Sequence, residues 1–188
     1  GFSDLQADIA KELVERGVAV WIQNQRSVAE ILQCVRMTGA LVGCARQAEE
    51  LAHDLEEHVR EVAATSRSLS RPPRVYFEEW PDPMIAGIRW VSELVEVAGG
   101  VDVFADLRAS KSAHAAKGRI VTHDDVVARK PDVVLASWCG KAVDHGAIRS
   151  RPGFAAMPVH EIASELILQP GPAALTDGLD ELARVLRG

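Results

Sequence analysis

The chain has 188 residues, of which 47% are hydrophobic and 26% are charged, as in ordinary globular proteins of one domain or two small lobes. A net charge of -6 gives no basic field for nucleic acid or for an anionic membrane surface, so neither is predicted as a partner. No apolar run approaches the ~20 residues of a helical membrane span, and the 3 cysteines form no CxxC pair. The sequence therefore predicts a small molecule or another protein as the partner.

The N-terminal region is predicted to contain one strand between two helices. Ser3 is the predicted N-cap of the first helix, and Ser27 is that of the second. The continuous apolar run 18–22 predicts a buried strand, with Trp21 in the core. Because a helix followed by a buried strand is typical of a parallel sheet, residues 1–43 are predicted to form part of an N-terminal lobe.

Residues 45–66 predict one long amphipathic helix, because apolar residues recur every three or four positions and charged residues occupy the other face. At about 1.5 Å per residue, this helix spans roughly 33 Å, longer than a helix that covers one sheet usually needs. Pro72 and Pro73 cannot continue it. We therefore expect residues 44–70 to connect two lobes.

The remainder of the chain, 71–188, alternates predicted strands with predicted helices. Strands are expected at 74–77, 132–137 and 159–163, and helices at 84–98, 123–130, 144–149 and at the C-terminus. Thr122 and Asp125 have the spacing of a capping box for the second of these helices. Such alternation predicts right-handed crossovers and a sheet with helices on both faces. The predicted fold class is α/β, with three-layer parallel-sheet lobes joined by the long helix.

The loops after the strands are the predicted ligand site, because ligands bind parallel sheets beyond the carboxyl ends of their strands. These loops are 78–83, 138–141 and 164–172, with 23–26 as their counterpart in the N-terminal lobe. Trp80 and Trp138 lie at or soon after strand ends. Each ring could cap the sheet or contact a ligand, and two rings in equivalent places favour a flat, largely apolar ligand. Trp90, among apolar residues of a predicted helix, is predicted to be a core residue.

The sequence leaves two other kinds of site to consider besides a ligand cleft. Cys139 could act as a nucleophile, with Asp144 and His145 near it in sequence and the Gly140 amide as an oxyanion donor, which would make the chain a small-molecule hydrolase. No nucleophile-elbow motif is present. The two histidines closest together on one predicted helix are five residues apart, a spacing that does not bring them to one face. No motif indicates a nucleotide cofactor, so neither cofactor nor metal is predicted.

Five segments that cover nearly all of the chain carry a resemblance to a known family. They are FSDLQADIAKELVERGVAV, NQRSVAEIL, RVYFEEWPDPMIAGIRWVSELVEVAGG, VTHDDVVARKPDVVLASWCGK and LILQPGPAALTDGLDEL. The loops EEWPDP and SWCGK are the more specific part. On these segments the sequence resembles the substrate-binding proteins of ABC importers that have a helical hinge, and most nearly their cobalamin-binding branch.

The resemblance implies a non-enzymatic, periplasmic or otherwise extracytoplasmic receptor that holds its ligand between two lobes and delivers it to a membrane permease. The implied ligand is a corrinoid such as cobalamin, and the alternatives within the class are haem, a ferric siderophore or a metal ion. The implied ligand contacts are Trp80, Trp138, Tyr76, Glu78, Glu165 and Gln169 in the C-terminal lobe, faced by Asn24 and Gln25. Permease docking is implied for Asp124, where the family commonly has Glu.

The resemblance also implies that several strands and helices of the N-terminal lobe precede the first residue of this chain. The predicted strand 18–22 would then lack neighbours and would expose a hydrogen-bonding edge. We therefore expect a homodimer as one way to cover that edge.

Overall fold

The computed structural model describes residues 4–67, 71–109 and 116–188. Its α-helices are α1 (Asp4–Glu15), α2 (Val28–Leu41), α3 (Ala45–Ser66), α4 (Arg89–Val97), α5 (His123–Arg129), α6 (His145–Arg149), α7 (Ser164–Ile167), α8 (Pro172–Leu175) and α9 (Asp177–Arg187). Its strands are β1 (Arg74–Pro81), β2 (Met84–Ala86), β3 (Val101–Asp102), β4 (Val133–Ala136) and β5 (Val159–Glu161). Short 3-10 helices cover Ala105–Ala109 and Lys117–Arg119. The predicted N-cap Ser3 lies outside the described residues.

In the described part of the chain, a five-stranded sheet organises the region after α3. β1 has β4 along one edge and β5 lies beyond β4, and these three strands run parallel. The other edge of β1 is shared, because β3 pairs in parallel with its start and β2 pairs antiparallel with its end. The predicted α/β class is confirmed, and the antiparallel β2 makes the sheet mixed rather than purely parallel.

Alternate residues of β1 and β4 enter hydrophobic clusters on opposite faces of the sheet. Val75, Phe77, Val133 and Leu135 join the cluster that includes residues of α2, α3, α4 and α9. Tyr76, Val134 and Ala136 join the cluster that includes Phe104, Val126, Ile148 and Phe154. This alternation is the two-residue period of a strand that is buried on both faces. The sheet is therefore the middle of three layers, as predicted.

The predicted long helix is confirmed, since α3 covers 22 residues. Its buried residues are Ala48, Ala52, Leu55, Val62 and Ser66, and α3 packs against α2, α4 and α9. Gly39 of α2 permits close approach of the two helices, because a Cβ at that position would collide with the Cβ of Ala48. α3 is thus part of the core of the sheet region. None of the helices in the three described ranges has the length and apolar character that a membrane crossing requires.

Residues 18–22 do not form the predicted strand. They have no regular secondary structure, and Val18, Trp21 and Ile22 are 48%, 45% and 54% exposed. A strand needs hydrogen-bonding partners along an edge, and none of the strands in the described ranges pairs with this run. The prediction of Trp21 as a core residue is therefore wrong. The expectation of a homodimer loses its basis, because it rested on an exposed strand edge.

The predicted helix 84–98 is wrong at its start, because Met84–Ala86 forms β2 and the helix α4 begins only at Arg89. Met84 and Ala86 are buried on either side of a more exposed Ile85, which is the alternation of a strand. β1 also extends farther than predicted, so that Trp80 lies within the strand, opposite Ile85. Pro83, preceded by a cis peptide bond, lies in the turn between β1 and β2.

Most other predicted elements are confirmed with small shifts. β4 and β5 lie inside their predicted ranges, and the predicted C-terminal helix is divided into α8 and α9. The capping box of Thr122 and Asp125 is present, and Ser27 caps α2 in a second capping box. Trp90 is a core residue, with 2% of its surface exposed.

Candidate functional site

The carboxyl ends of β1, β4 and β5 meet at one edge of the sheet, because these strands are parallel. Side chains from the end of β1, from the loop after β4 and from the segment after α6 contact one another there. We call this group the edge cluster, and it consists of Glu78, Trp80, Trp138, Lys141 and Arg151.

A buried carboxylate is the centre of the edge cluster. Glu78 has no exposed surface, and it forms an ion pair with Arg151, whose Nη2 lies 3.2 Å from Glu78 Oε1. The Tyr76 hydroxyl donates to Oε2 at 3.1 Å, and the indole Nε1 of Trp138 donates to Oε1 at 3.1 Å. A counter-ion and two further donors compensate the desolvation of this carboxylate.

Three of the predicted ligand contacts are inside this network. Tyr76 and Glu78 have no exposed surface, and Trp138 is 5% exposed. Burial, and after it the charge of Glu78, raises the pKa of Tyr76 well above 10, so its hydroxyl stays protonated and remains a donor. In this structure, Tyr76 and Glu78 have no surface that a ligand could touch. Their part in the site is to hold Trp138 and Arg151 in place.

Trp80 is the partly exposed ring of the edge cluster. Its Nε1 donates to the carbonyl of Asp82 at 2.9 Å, which fixes the indole against the turn between β1 and β2. The Nζ atom of Lys141 lies 4.3 Å from the centroid of the Trp80 ring and 5.1 Å from that of the Trp138 ring. Both distances are within the range of a cation–π contact. The structure thus brings the two predicted tryptophans together through one ammonium group.

Two further buried arginines, Arg119 and Arg26, lie near Glu79 of β1. Arg119 is 3% exposed, and its two terminal nitrogens lie 2.5 and 3.3 Å from the carboxylate of Glu79. Arg26 is 6% exposed, and burial, followed by the charge of Arg119, lowers the pKa of Arg26. The charges of Glu79 and Glu30 oppose that change. Arg26 therefore places the end of segment 18–26 near the end of β1.

The polar candidates of the N-terminal region have other contacts. Asn24 and Gln25 line a cavity of about 250 Å³ formed by residues between 21 and 37. Gln25 Nε2 donates to the carbonyl of Pro170 at 3.1 Å, so Gln25 is tied to the loop that follows α7. Gln169 is exposed beside that contact, and Glu165 is exposed on α7. The contact of Gln25 thus leads to the loop between α7 and α8 and not to the two tryptophans. The predicted loop 164–172 is wrong at its start, because Ser164–Ile167 forms α7.

The remaining predicted residues lie on the surface. Asp124 is exposed in the first turn of α5, where the neighbouring Asp125 closes the capping box. Cys139 is exposed, and Asp144 serves as the N-cap of α6, accepting from the amide of Ala147 at 2.8 Å. Asp144 Oδ1 thus caps the helix that begins at His145. In the ranges that the structure describes, no group of three His, Cys, Asp or Glu side chains is placed to hold a metal ion.

Sequence reasoning missed the four cations of this region. Lys141 lies in a predicted site loop, and a charge two residues from a cysteine and three from a tryptophan was a usable signal. Arg119 and Arg151 lie 40 and 73 residues from their carboxylate partners, so no local pattern links them. Arg26 follows the predicted polar residues directly, but its burial depends on packing that only the structure shows.

Comparisons with known proteins agree with this fold. The family model described as periplasmic binding protein matches residues 1–159. The search of curated proteins found no match. Among solved structures, an ABC transporter substrate-binding protein from Listeria monocytogenes is 16% identical with a TM-score of 0.80, over 98% of this chain and 74% of that one.

Two further solved structures have similar folds. A periplasmic haem-binding protein from Roseiflexus sp. RS-1 is 20% identical with a TM-score of 0.74, over 95% of this chain and 72% of its own. The periplasmic vitamin B12 binding protein of Vibrio cholerae is 18% identical with a TM-score of 0.67, over 96% and 69%. At these identities the likeness shows the fold.

Proposed function

The chain belongs to the periplasmic binding protein family, and from that premise we propose that it is the ligand-binding component of an ABC importer. In this role it is an extracytoplasmic receptor without catalytic activity. It binds a large planar ligand at the carboxyl edge of the sheet and delivers it to a membrane permease. The ligand that we propose is a corrinoid, and haem is the second candidate.

The observation that carries the proposal is the placement of Trp80. Its indole is partly exposed at the edge where α/β sheets bind ligands, and its Nε1 is fixed by the Asp82 carbonyl. A fixed aromatic face is suited to stacking on a flat conjugated ring, because little conformational entropy is lost on contact. Trp138 is held near the same ammonium group by its hydrogen bond to Glu78.

Stacking on an indole does not depend on the metal at the centre of the ring. The choice between corrinoid and haem therefore needs a direct binding test. One similar fold is that of a haem-binding protein and another is that of a vitamin B12 binding protein. The polar side chains of Asn24, Gln25, Glu165 and Gln169 are proposed to contact the periphery of the ligand. Peripheral contacts of this kind, rather than the platform, would distinguish the two macrocycles.

Delivery requires docking, for which we assign Asp124. Its carboxylate is exposed in the first turn of α5, where a partner protein can reach it. An exposed ion pair with an arginine of the permease would fix orientation and speed encounter more than it would raise affinity. Asp124→Asn should therefore slow association with the permease and leave ligand affinity unchanged.

The test is a visible-absorbance and calorimetric titration of the chain with cyanocobalamin and, separately, with haemin. Loss of a stacking contact costs about 1–3 kcal/mol, so Trp80→Ala should weaken binding about 10- to 100-fold. Trp80→Phe is the matched control, because it keeps an aromatic face and should retain most of the affinity. Unchanged affinity in Trp80→Ala would reject this platform, and absence of binding to both compounds would reject the planar-ligand proposal.

A further inference from the structure

Lys141 has an unusual environment for a surface lysine. Its ammonium lies over two indole rings, at 4.3 Å from the centroid of Trp80 and 5.1 Å from that of Trp138. Within residues 4–67, 71–109 and 116–188, no carboxylate forms an ion pair with it. A cation held by two rings but without a counter-ion is a positive charge that the protein itself does not neutralise.

Two acids at this edge already have cationic partners. Glu78 is bound by Arg151, Tyr76 and Trp138, and Glu79 is bound by Arg119. Glu161, at the end of β5, is exposed and accepts a hydrogen bond from the amide of Val143 at 3.2 Å. Lys141 is exposed as well, so its ammonium group is accessible to a bound molecule.

The chemistry of the ammonium group determines what it can bind. Its attraction to an exposed indole is weak, and it uses none of the three N–H donors. A carboxylate or phosphate can therefore accept hydrogen bonds from Lys141 while the cation stays near the rings, and such charge-assisted bonds are stronger than neutral ones. We propose that Lys141 recognises an acidic group, a carboxylate or a phosphate, at the periphery of a planar ligand whose ring contacts Trp80.

This inference rests on the proposed function, and it adds a chemical class to the ligand. Any ligand that stacks on the face of Trp80 next to Lys141 has to move the ammonium aside. An acid at the edge of the ligand would then pair with the moved ammonium, whereas a ligand without an acid would lose the cation–π contact and gain no ion pair in return. Selectivity for acidic planar ligands follows from that difference.

The first arm of the test measures the carboxylate. Haemin and haemin dimethyl ester have the same ring, but only haemin has free carboxylates. The chain should bind haemin about 10-fold or more tightly than the ester, and Lys141→Gln should reduce this ratio to near 1. Lys11→Gln is the matched control, because it removes an exposed positive charge from α1 and should preserve the ratio.

The second arm measures the phosphate with cyanocobalamin and with cobinamide, which lacks the nucleotide loop and with it the phosphodiester; the loss of the ratio in Lys141→Gln separates the phosphate from the rest of that loop. A ratio of about 10 or more that Lys141→Gln abolishes would identify phosphate as the acid. Equal binding within both pairs, or a ratio that persists in Lys141→Gln, would overturn the inference while the receptor function stands. Failure of all four probes to bind would overturn both.

Discussion

Two short apolar runs have the same sequence character but different structures. The run 18–22 is exposed and has no regular secondary structure, whereas β4, Val133–Ala136, is fully buried in the middle of the sheet. β4 has β1 on one side and β5 on the other, so all of its backbone groups have hydrogen-bonding neighbours. The run 18–22 has no such neighbour in the described ranges.

An apolar run can form a strand, but whether it does depends on adjacent strands with which its backbone can pair. Backbone N–H and C=O groups need partners before burial becomes favourable. Without a partner strand, residues 18–22 gain more from water than from the interior, although Ile22 and Val18 are apolar. Substitutions around β4 should therefore lower the free energy of unfolding much more than substitutions in the N-terminal region.

The largest difference in the free energy of unfolding is expected between a buried ion pair of the sheet region and an exposed ion pair of α1. Arg151→Met leaves the carboxylate of Glu78 buried without its counter-ion, so it should reduce the free energy of unfolding by about 3–5 kcal/mol. Arg16→Met removes the exposed pair with Glu12 on α1 and should cost at most about 0.5 kcal/mol. Urea unfolding followed by circular dichroism measures both. Similar losses would show that the carboxylate of Glu78 is not buried in solution.

The hydrophobic runs themselves should differ nearly as much. Leu135→Ala removes a side chain with no exposed surface from the middle of β4, and it should cost about 2–5 kcal/mol. Ile22→Ala changes a side chain that is 54% exposed, and the free energy of unfolding should change by no more than about 0.5 kcal/mol. If Ile22→Ala were as costly as Leu135→Ala, the run 18–22 would be buried in solution.

A smaller effect is expected at the contact between α2 and α3, the two helices that lie between run 18–22 and the sheet in the sequence. In Gly39→Ala the new Cβ collides with Ala48, and after the gain in helix propensity the net loss should be about 1–2 kcal/mol. Adding Ala48→Gly makes room for that methyl group. The double variant should therefore recover the loss caused by Gly39→Ala, a coupling that thermal unfolding can measure. Additive losses would contradict direct contact between the two positions.

The fold was predictable where its determinants are local. α3 was predictable because its apolar period repeats over 22 residues, and the capping box at Thr122 lies within four consecutive residues. The structure of residues 18–22 was not predictable, because it depends on partner strands that no local sequence pattern reveals. β2 was missed for a related reason: three residues are too few for strand alternation to be distinguished from a helical period.

The candidate site was predictable to the level of loops. The carboxyl-end rule selected Trp80 and Trp138 correctly as neighbours of one edge, because it requires only the order of the strands. Burial of Trp138 could not be predicted, since it depends on Glu78, 60 residues away, and through Glu78 on Arg151. The cations that surround the edge are long-range partners, and their positions follow from the packed sheet.

The smallest predicted effect asks whether the two regions unfold together. Ser27 caps α2 and Thr122 caps α5, each in a complete capping box, so each substitution to Ala removes the bond from the N3 amide to the capping hydroxyl. Thr122→Ala also removes the bond from that hydroxyl to Asp125 at 2.7 Å. Loss of such a cap costs about 1 kcal/mol where the helix is part of the cooperative unit. α2 contributes Ile31 and Leu32 to the core that contains β1 and β4, and we therefore expect losses of similar size in urea unfolding. A loss for Thr122→Ala without one for Ser27→Ala would mean that α2 opens before the sheet does. The contacts of α2 with the core would then be too weak for the N-terminal region to unfold cooperatively with the sheet.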